Sequence, residues 1–181
     1  MSARLLALDS STEVLAVAVA GVGGDWQRSM PGGALASSHI IGLALEGLAA
    51  CGMQVAQLDA VAFAAGPGAF TGLRCACAVA QGLAFAAAKP VLAIDSLMIV
   101  AEAARMLHAA PDGELWVAMD ARMDEVYAGR YRRDGARWQV VTAPALYTLP
   151  ALASRWSAEP PRVVAGNAAA AFGERLPTAG A

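Results

Sequence analysis

The chain has 181 residues, a formal net charge of −2 and 15% charged side chains, which admits one ordinary domain or two small lobes and excludes a large multidomain assembly. Hydrophobic residues make up 57% of it, but 45 of them are alanine, so the mean hydropathy of +0.49 reflects small-side-chain filler and not a bilayer-seeking chain. That apolar content also excludes intrinsic disorder.

In chain order, the apolar run at residues 4–8 ends at Asp9, Ser10-Ser11-Thr12 supplies turn chemistry, and residues 14–20 form a second run, which predicts a β-hairpin. A turn at residues 21–24 precedes a weaker strand at 26–30, closed by Pro31-Gly32-Gly33. Ser37 or Ser38 is positioned to cap a helix over 39–50, in which Ile41, Leu45 and Leu48 fall at i, i+4 and i+7. Residues 60–65 predict a buried strand, 71–88 a helix, 91–94 a strand and 96–108 a helix. The order is βββαβαβα.

The second part repeats the opening. Residues 115–120 form an apolar strand ending at Asp120, and Glu125-Val126 opens a returning strand at 127–132, as Glu13-Val14 does after Asp9. A strand at 137–142, a short helix at 149–156 and a strand at 162–165 follow, and residues 168–181 complete no period. Such duplication builds a two-lobed fold, here with lobes at 1–109 and 110–181 and the second one shortened.

The longest apolar stretch, residues 75–94, is broken by Gln81 and Lys89-Pro90 into pieces too short for the roughly 20 residues that span a bilayer. No charged segment followed by an apolar leader opens the chain, so a soluble cytoplasmic protein without membrane association is expected. Twelve arginines and one lysine are scattered and outnumbered by acids, so contact with nucleic acid is expected only through a partner.

Candidate chemistry is sparse. Cys51, Cys75 and Cys77 fit neither a disulfide framework nor a metal knuckle. His39 and His108, the only histidines, lack a second ligand at helical spacing, so no metal site is expected. No G-x-S-x-G elbow nominates a nucleophile, and no catalytic residue is assigned. The turn from Gly66 to Gly72, with Gly68, Thr71 and Arg74, lies between a strand and a long helix. It suits either close anion approach or a tight strand-to-helix turn. Asp9 ends a strand in the manner of an actin-like nucleotide site, but Ser10-Ser11 stand where glycines would admit phosphate. A small ATPase or kinase using Asp9, Asp120 and this turn is the alternative to a binding protein.

The helix at 71–88 carries only Arg74 and Gln81 as strongly polar residues between its first turn and Lys89. A helix apolar around most of its circumference is buried on a second side, unless its many alanines are merely tolerating exposure. Gly72, Ala76 and Ala80 form a small-residue ridge, and Ile40 and Leu43 lie off the Ile41-Leu45-Leu48 stripe of the neighbouring helix. An intermolecular surface is therefore expected at His39, Ile40, Leu43, Gly47, Leu73, Ala76, Val79, Ala80 and Leu83.

The segments Leu5-Leu6-Ala7-Leu8-Asp9-Ser10-Ser11-Thr12-Glu13, Ser38-His39, Gly66-Pro67-Gly68-Ala69-Phe70-Thr71-Gly72-Leu73-Arg74, Ala80-Gln81-Gly82-Leu83-Ala84 and Asp120-Ala121-Arg122-Met123-Asp124-Glu125-Val126-Tyr127 resemble the motifs of the TsaB (YeaZ) family. The resemblance implies an α/β, actin-like (ASKHA, RNase H-like) duplicated fold. It further implies a non-catalytic role in forming threonylcarbamoyladenosine beside the tRNA anticodon. In that family a TsaD catalytic subunit makes the transfer and carries paired histidines absent here, which also argues against the metal-dependent proteolysis once attached to the superfamily. A TsaE ATPase is the third protein. The first two helices form the partner surface and also a homodimer when the subunit is alone. No cofactor of its own is implied, with ATP or ADP and Mg²⁺ placed at the complex interface. Asp124 stands where the family usually has glycine, and family members usually continue beyond the second lobe.

Overall fold

A computed structural model describes residues 3–22, 24–108 and 113–176. The chain divides into two compact units, Met1–Ser96 and Leu97–Ala181. The division falls at the start of a helix that the sequence reading assigned to the first lobe, and the expected boundary at 109/110 lies outside the described residues. The helix goes with the second unit because Leu97 and Ala101 are buried in a cluster with Leu115, Val117 and Tyr131.

The first unit is a five-stranded sheet ordered β3-β2-β1-β4-β5, built from β1 (Leu5–Asp9), β2 (Val14–Ala20), β3 (Trp26–Pro31), β4 (Ala60–Ala64) and β5 (Val91–Ile94). β1 pairs antiparallel with β2 and parallel with β4, and β4 pairs parallel with β5. Helix α1 (Ala36–Ala50) and helix α2 (Phe70–Ala86) pack on one face. The period-two alternation sends Leu6, Leu8, Leu15, Val17 and Val19 into that core, where they meet Ile40, Leu43, Ala44 and Leu48 of α1 and Ala76, Ala80 and Ala84 of α2.

α1 begins earlier than expected. A 3₁₀ turn at Gly33–Leu35 leads into it, Leu35 is the capping position, and Ser38 sits inside the first turn with its hydroxyl donating to the Leu35 carbonyl at 2.8 Å. By length and mean hydropathy of 1.3, the span Gly33–Ala50 would be long and apolar enough to cross a membrane. Here Ile40, Leu43, Ala44 and Leu48 lie on the sheet, and its first turn exposes Ser37, Ser38 and His39.

The second unit contains α3 (Ser96–His108) from Leu97 onward, β6 (Glu114–Asp120), β7 (Glu125–Asp134), β8 (Arg137–Thr148), α4 (Leu149–Ala158), β9 (Val164–Ala165) and α5 (Ala168–Phe172). Its described sheet, β8-β7-β6-β9, repeats the order β3-β2-β1-β4, with β6 antiparallel to β7 and parallel to β9. This repetition makes the fold an actin-like duplicated α/β fold, with four described strands in the second sheet against five in the first. β8 runs six residues past the expected end at 142, through Pro144. An edge strand tolerates a missing N–H on its outer side, and the register shifts opposite, at Ala128/Arg130 and Arg130/Tyr131, absorb the irregularity. Where no period was read after residue 168, α5 forms and buries Ala168 beside Leu176 in a core with Trp116, Leu152 and Trp156; residues 177–181 lie outside the described set.

Candidate functional site

Two neighbouring features of the first unit carry the candidate site: the turn joining β4 to α2, and the outward faces of α1 and α2.

The turn is closed on the chain itself. Asp9 Oδ1 accepts from the Ser11 N–H at 2.8 Å, Thr12 Oγ1 accepts from the Val14 N–H at 3.1 Å, and the Ala69 N–H donates to the Ser11 carbonyl at 2.7 Å. Buried Ser10 donates from Oγ to the Gly72 carbonyl at 2.8 Å. Gly66 is doubly tied to Ser96, accepting from its N–H at 2.9 Å and donating to its Oγ at 3.0 Å. Gly66 adopts φ +107°, a conformation that a side chain rarely allows, and the Gly66–Pro67 peptide is cis.

The other glycines answer to close packing. A Cβ on Gly68 would lie 2.5 Å from the Ser11 carbonyl oxygen, and one on Gly72 would overlap the Ser10 carbonyl. The side of Gly68 and Gly72 on which a Cβ would stand is filled by the β1–β2 turn. Of the residues named for nucleotide contact, Asp9, Gly66 and Gly68 are thus engaged within the chain. Thr71 and Arg74 are exposed on the first two turns of α2, with the Arg74 guanidinium 3.9 Å above the Phe70 ring.

The second unit repeats part of this arrangement. Asp120 Oδ1 accepts from the Arg122 N–H at 2.8 Å, as Asp9 does from Ser11. Its N–H donates to Asn167 Oδ1 at 2.8 Å. Arg122, Met123 and Asp124 follow with φ of 69°, 54° and 61°, so glycine at position 124 would relieve one of three left-handed residues. Asp124 pairs instead with Arg175 at 2.7 Å, and that hydrogen bond holds its carboxyl below the usual carboxylate range.

The helix faces differ from the sequence expectation in a specific way. Ile40, Leu43 and Gly47 were expected to face a partner, yet they are buried on the unit's own sheet. A Cβ on Gly47 would lie 2.5 Å from the Trp26 ring. Ala76 and Ala80, with Gly72 and Ala84, are likewise the inner ridge of α2, so these small residues bring the helix close to β1 and β4 instead of to another molecule. Leu73, Val79 and Leu83 are half-buried, the last two against that same core. His39 is exposed as expected.

The outward face is formed by Ile41 (49% exposed) and Leu45 (52%) of α1, Leu35 in the turn before it, and Phe70 and Phe85 (90%) of α2. Sequence reasoning assigned Ile41 and Leu45 to the core. A second stripe was present in the sequence, in which Ile40, Leu43, Ala44, Gly47 and Leu48 fall at i, i+3, i+4, i+7 and i+8 once alanine and glycine are counted as packing residues, and the structure chooses it over Ile41-Leu45-Leu48.

Among the described residues no group of three His, Cys, Asp or Glu side chains is placed to hold a metal ion. Cys51, Cys75 and Cys77 are free and half-buried, and burial pushes the Cys75 thiol up.

Comparison with known proteins gives the family. The sequence model of the family described as TsaD, tRNA N6-adenosine threonylcarbamoyltransferase, matches residues 35–172. The TsaB protein of Haemophilus influenzae is 41% identical over 133 residues, 74% of this chain and 56% of that protein. The TsaB protein of Escherichia coli K12 is 34% identical over 137 residues, 72% of this chain and 56% of that protein. A Pseudomonas aeruginosa crystal structure described as similar to peptidase YeaZ superposes with a TM-score of 0.86 at 35% identity, covering 97% of this chain and 81% of that one. The chain belongs to the TsaB (YeaZ) family. Pseudomonas aeruginosa YeaZ itself agrees, at 37% identity and a TM-score of 0.74 over 80% of this chain and 66% of its own. This TsaB-family chain spans a little over half the length of the curated relatives it matches, 56% in both bacterial TsaB proteins.

Proposed function

We propose that this chain is the accessory subunit of an assembly that forms threonylcarbamoyladenosine in tRNA, binding a TsaD-type catalytic chain through the outward faces of α1 and α2 and performing no transfer itself. One observation carries the reading: Ile41, Leu45, Phe70 and Phe85, with Leu35 in the turn before α1, are all exposed on adjoining helices whose only charged residues are Glu46 and Arg74. Isolated exposed apolar residues are ordinary, whereas several large ones on the uncovered sides of two packed helices suit a contact surface. Relatives named for tRNA threonylcarbamoyladenosine biosynthesis support the assignment of the process.

In this reading a TsaE-type ATPase completes the assembly, and ATP or ADP with Mg²⁺ belongs at the interface. tRNA is contacted through the partner, in keeping with the net charge of −2. The same helix faces pair two copies of the chain when no partner is present, and the assembly works in the cytoplasm.

Reconstitution tests the proposal. TsaD-type and TsaE-type chains, ATP, threonylcarbamoyl precursors and tRNA are combined with and without this chain, and modified adenosine is quantified. Product that forms only with this chain, and is lost with Leu45→Glu or Phe85→Glu in a protein that still unfolds cooperatively, supports the reading; equal product without the chain overturns it. These exposed positions are better probes than Val79 or Leu83, where glutamate would place a charge against the unit's own core.

A further inference from the structure

The second unit carries a cleft of about 400 Å³ between the N-terminal half of β6, Arg130 of β7 and the segment from Glu159 to Val163 that joins α4 to β9. The joining segment contains Pro160 and Pro161 and is held at both ends. The Glu159 N–H donates to the Arg155 carbonyl at 3.0 Å, Glu159 Oε1 accepts from Arg130, and the Trp116 N–H donates to the Val163 carbonyl at 3.0 Å. Two prolines restrict its backbone further, so this wall is formed before any ligand arrives.

Four guanidinium groups meet two carboxylates here. Register sets Arg132 opposite Glu114 and Arg130 opposite Trp116, with Val164 of β9 on the other side of Trp116. Glu114 pairs with Arg130 and with Arg132, whose Nε donates at 2.7 Å, and Glu159 pairs with Arg130. The Arg132 hydrogen bond foremost holds the Glu114 carboxyl below the usual carboxylate range against the effect of burial, so Glu114 is ionised at neutral pH. Arg155 lies over the Trp116 ring, 5.3 Å from its centroid, and reaches Thr142 Oγ1 at 3.4 Å. Arg162 is exposed at the cleft and makes no ion pair among the described residues.

The two carboxylates therefore leave two positive charges in surplus, in a chain whose formal net charge is −2. The planar fork of arginine matches phosphate oxygens two at a time, and a surplus of two charges is what a dianionic group neutralises. The volume exceeds that of a bare ion and suits a small organic phosphate. We infer that this cleft binds a small phosphate monoester, with Arg162 making the principal contact to the phosphate. The site lies wholly in the second unit and is independent of the proposed α1–α2 surface.

Calorimetric titration of the chain with ribose 5-phosphate at low ionic strength tests the inference, with sulfate and a single-stranded RNA lacking a terminal phosphate as comparison ligands. Arg162→Gln and Arg162→Lys are titrated alongside. Ribose 5-phosphate is expected to bind with a Kd below about 1 mM, at least tenfold more weakly in Arg162→Gln, and with a smaller loss in Arg162→Lys, which keeps the charge without the fork. Both variants should keep the parent Tm, because Arg162 is exposed and unpaired, which separates lost ligation from a lost fold. A monoester loses its second proton at about pH 6, so its affinity should rise several-fold from about pH 5.5 to about 7.5 while that of sulfate stays level.

No binding of ribose 5-phosphate, or binding that Arg162→Gln leaves unchanged, overturns the inference. Sulfate binding as tightly as ribose 5-phosphate shows a general anion site and overturns the assignment to a phosphate monoester. Binding of the RNA in place of ribose 5-phosphate shows that a phosphodiester backbone is the ligand, and overturns it as well.

Discussion

Ser10 and Gly72, 62 positions apart, are joined by a buried hydrogen bond in which the serine hydroxyl donates to the glycine carbonyl at 2.8 Å, while the serine's own carbonyl fills the place where a Gly72 side chain would stand. The contact locks the first turn of α2 onto the β1–β2 turn. It explains a glycine-rich segment that sequence alone leaves open between anion binding and packing.

Gly72→Ala is therefore expected to destabilise the protein by about 1–3 kcal/mol, because the added methyl must displace backbone and not a flexible side chain. Ser10→Ala should cost about 0.5–1.5 kcal/mol for the lost bond. Urea unfolding curves measure both. Wild-type stability in Gly72→Ala would show that the turn does not close in this way.

The orientation of α1 is tested by two adjacent isoleucines. Ile40 is fully buried and Ile41 is 49% exposed. Ile40→Ala is expected to cost about 2–5 kcal/mol, and Ile41→Ala less than about 0.5 kcal/mol. Equal losses, measured by chemical denaturation, would mean that the helix presents a different face to the sheet.

Glu102 of α3 predicts a pH dependence in the second unit. Its carboxylate accepts from Arg105 at 2.8 and 3.0 Å, from Arg133 at 2.8 Å and from Trp138 Nε1 at 2.9 Å. The Arg105 hydrogen bond foremost, with those of its other partners, holds its pKa down to about 2 against the opposing effect of burial. A carboxylate with a depressed folded-state pKa gives stability that is fully present above its unfolded value, here 4.5, and is lost as the pH falls toward 2. Glu102→Gln should lower the denaturation midpoint at neutral pH and shrink that difference between pH 4.5 and 2. Parallel profiles of variant and parent would disprove the assignment.

Asp124 occupies the last of three consecutive left-handed residues and pairs with exposed Arg175. Exposed ion pairs contribute little and fade with salt, whereas backbone strain does not. Asp124→Gly is expected to raise Tm, more at 1 M salt than at low salt, and Asp124→Val to lower it, since a β-branched side chain resists positive φ. A lower Tm for the glycine variant at high salt would show that the turn gains nothing from relief of strain.

The sequence by itself determined the element order of the first unit, the hairpin ends at Asp9 and Asp120, the internal duplication and the family. These depend on period-two and helical patterns, on turn residues and on motif spacing, all of which are local along the chain. Tertiary structure alone decided which side of α1 and α2 is covered. Alanine and glycine sit equally well against a sheet, in solvent or beneath another helix, so an alanine-rich helix carries little orientational information until its neighbours are known. The sheet resolved it by drawing Ile40, Leu43, Ala76 and Ala80 inward, which leaves Ile41, Leu45 and Phe85 on the surface. Tertiary structure likewise decided what the glycine-rich turn holds, because the Ser10 and Ser11 backbone that fills it comes from 62 and 57 positions away, from Gly72 and Gly68 respectively.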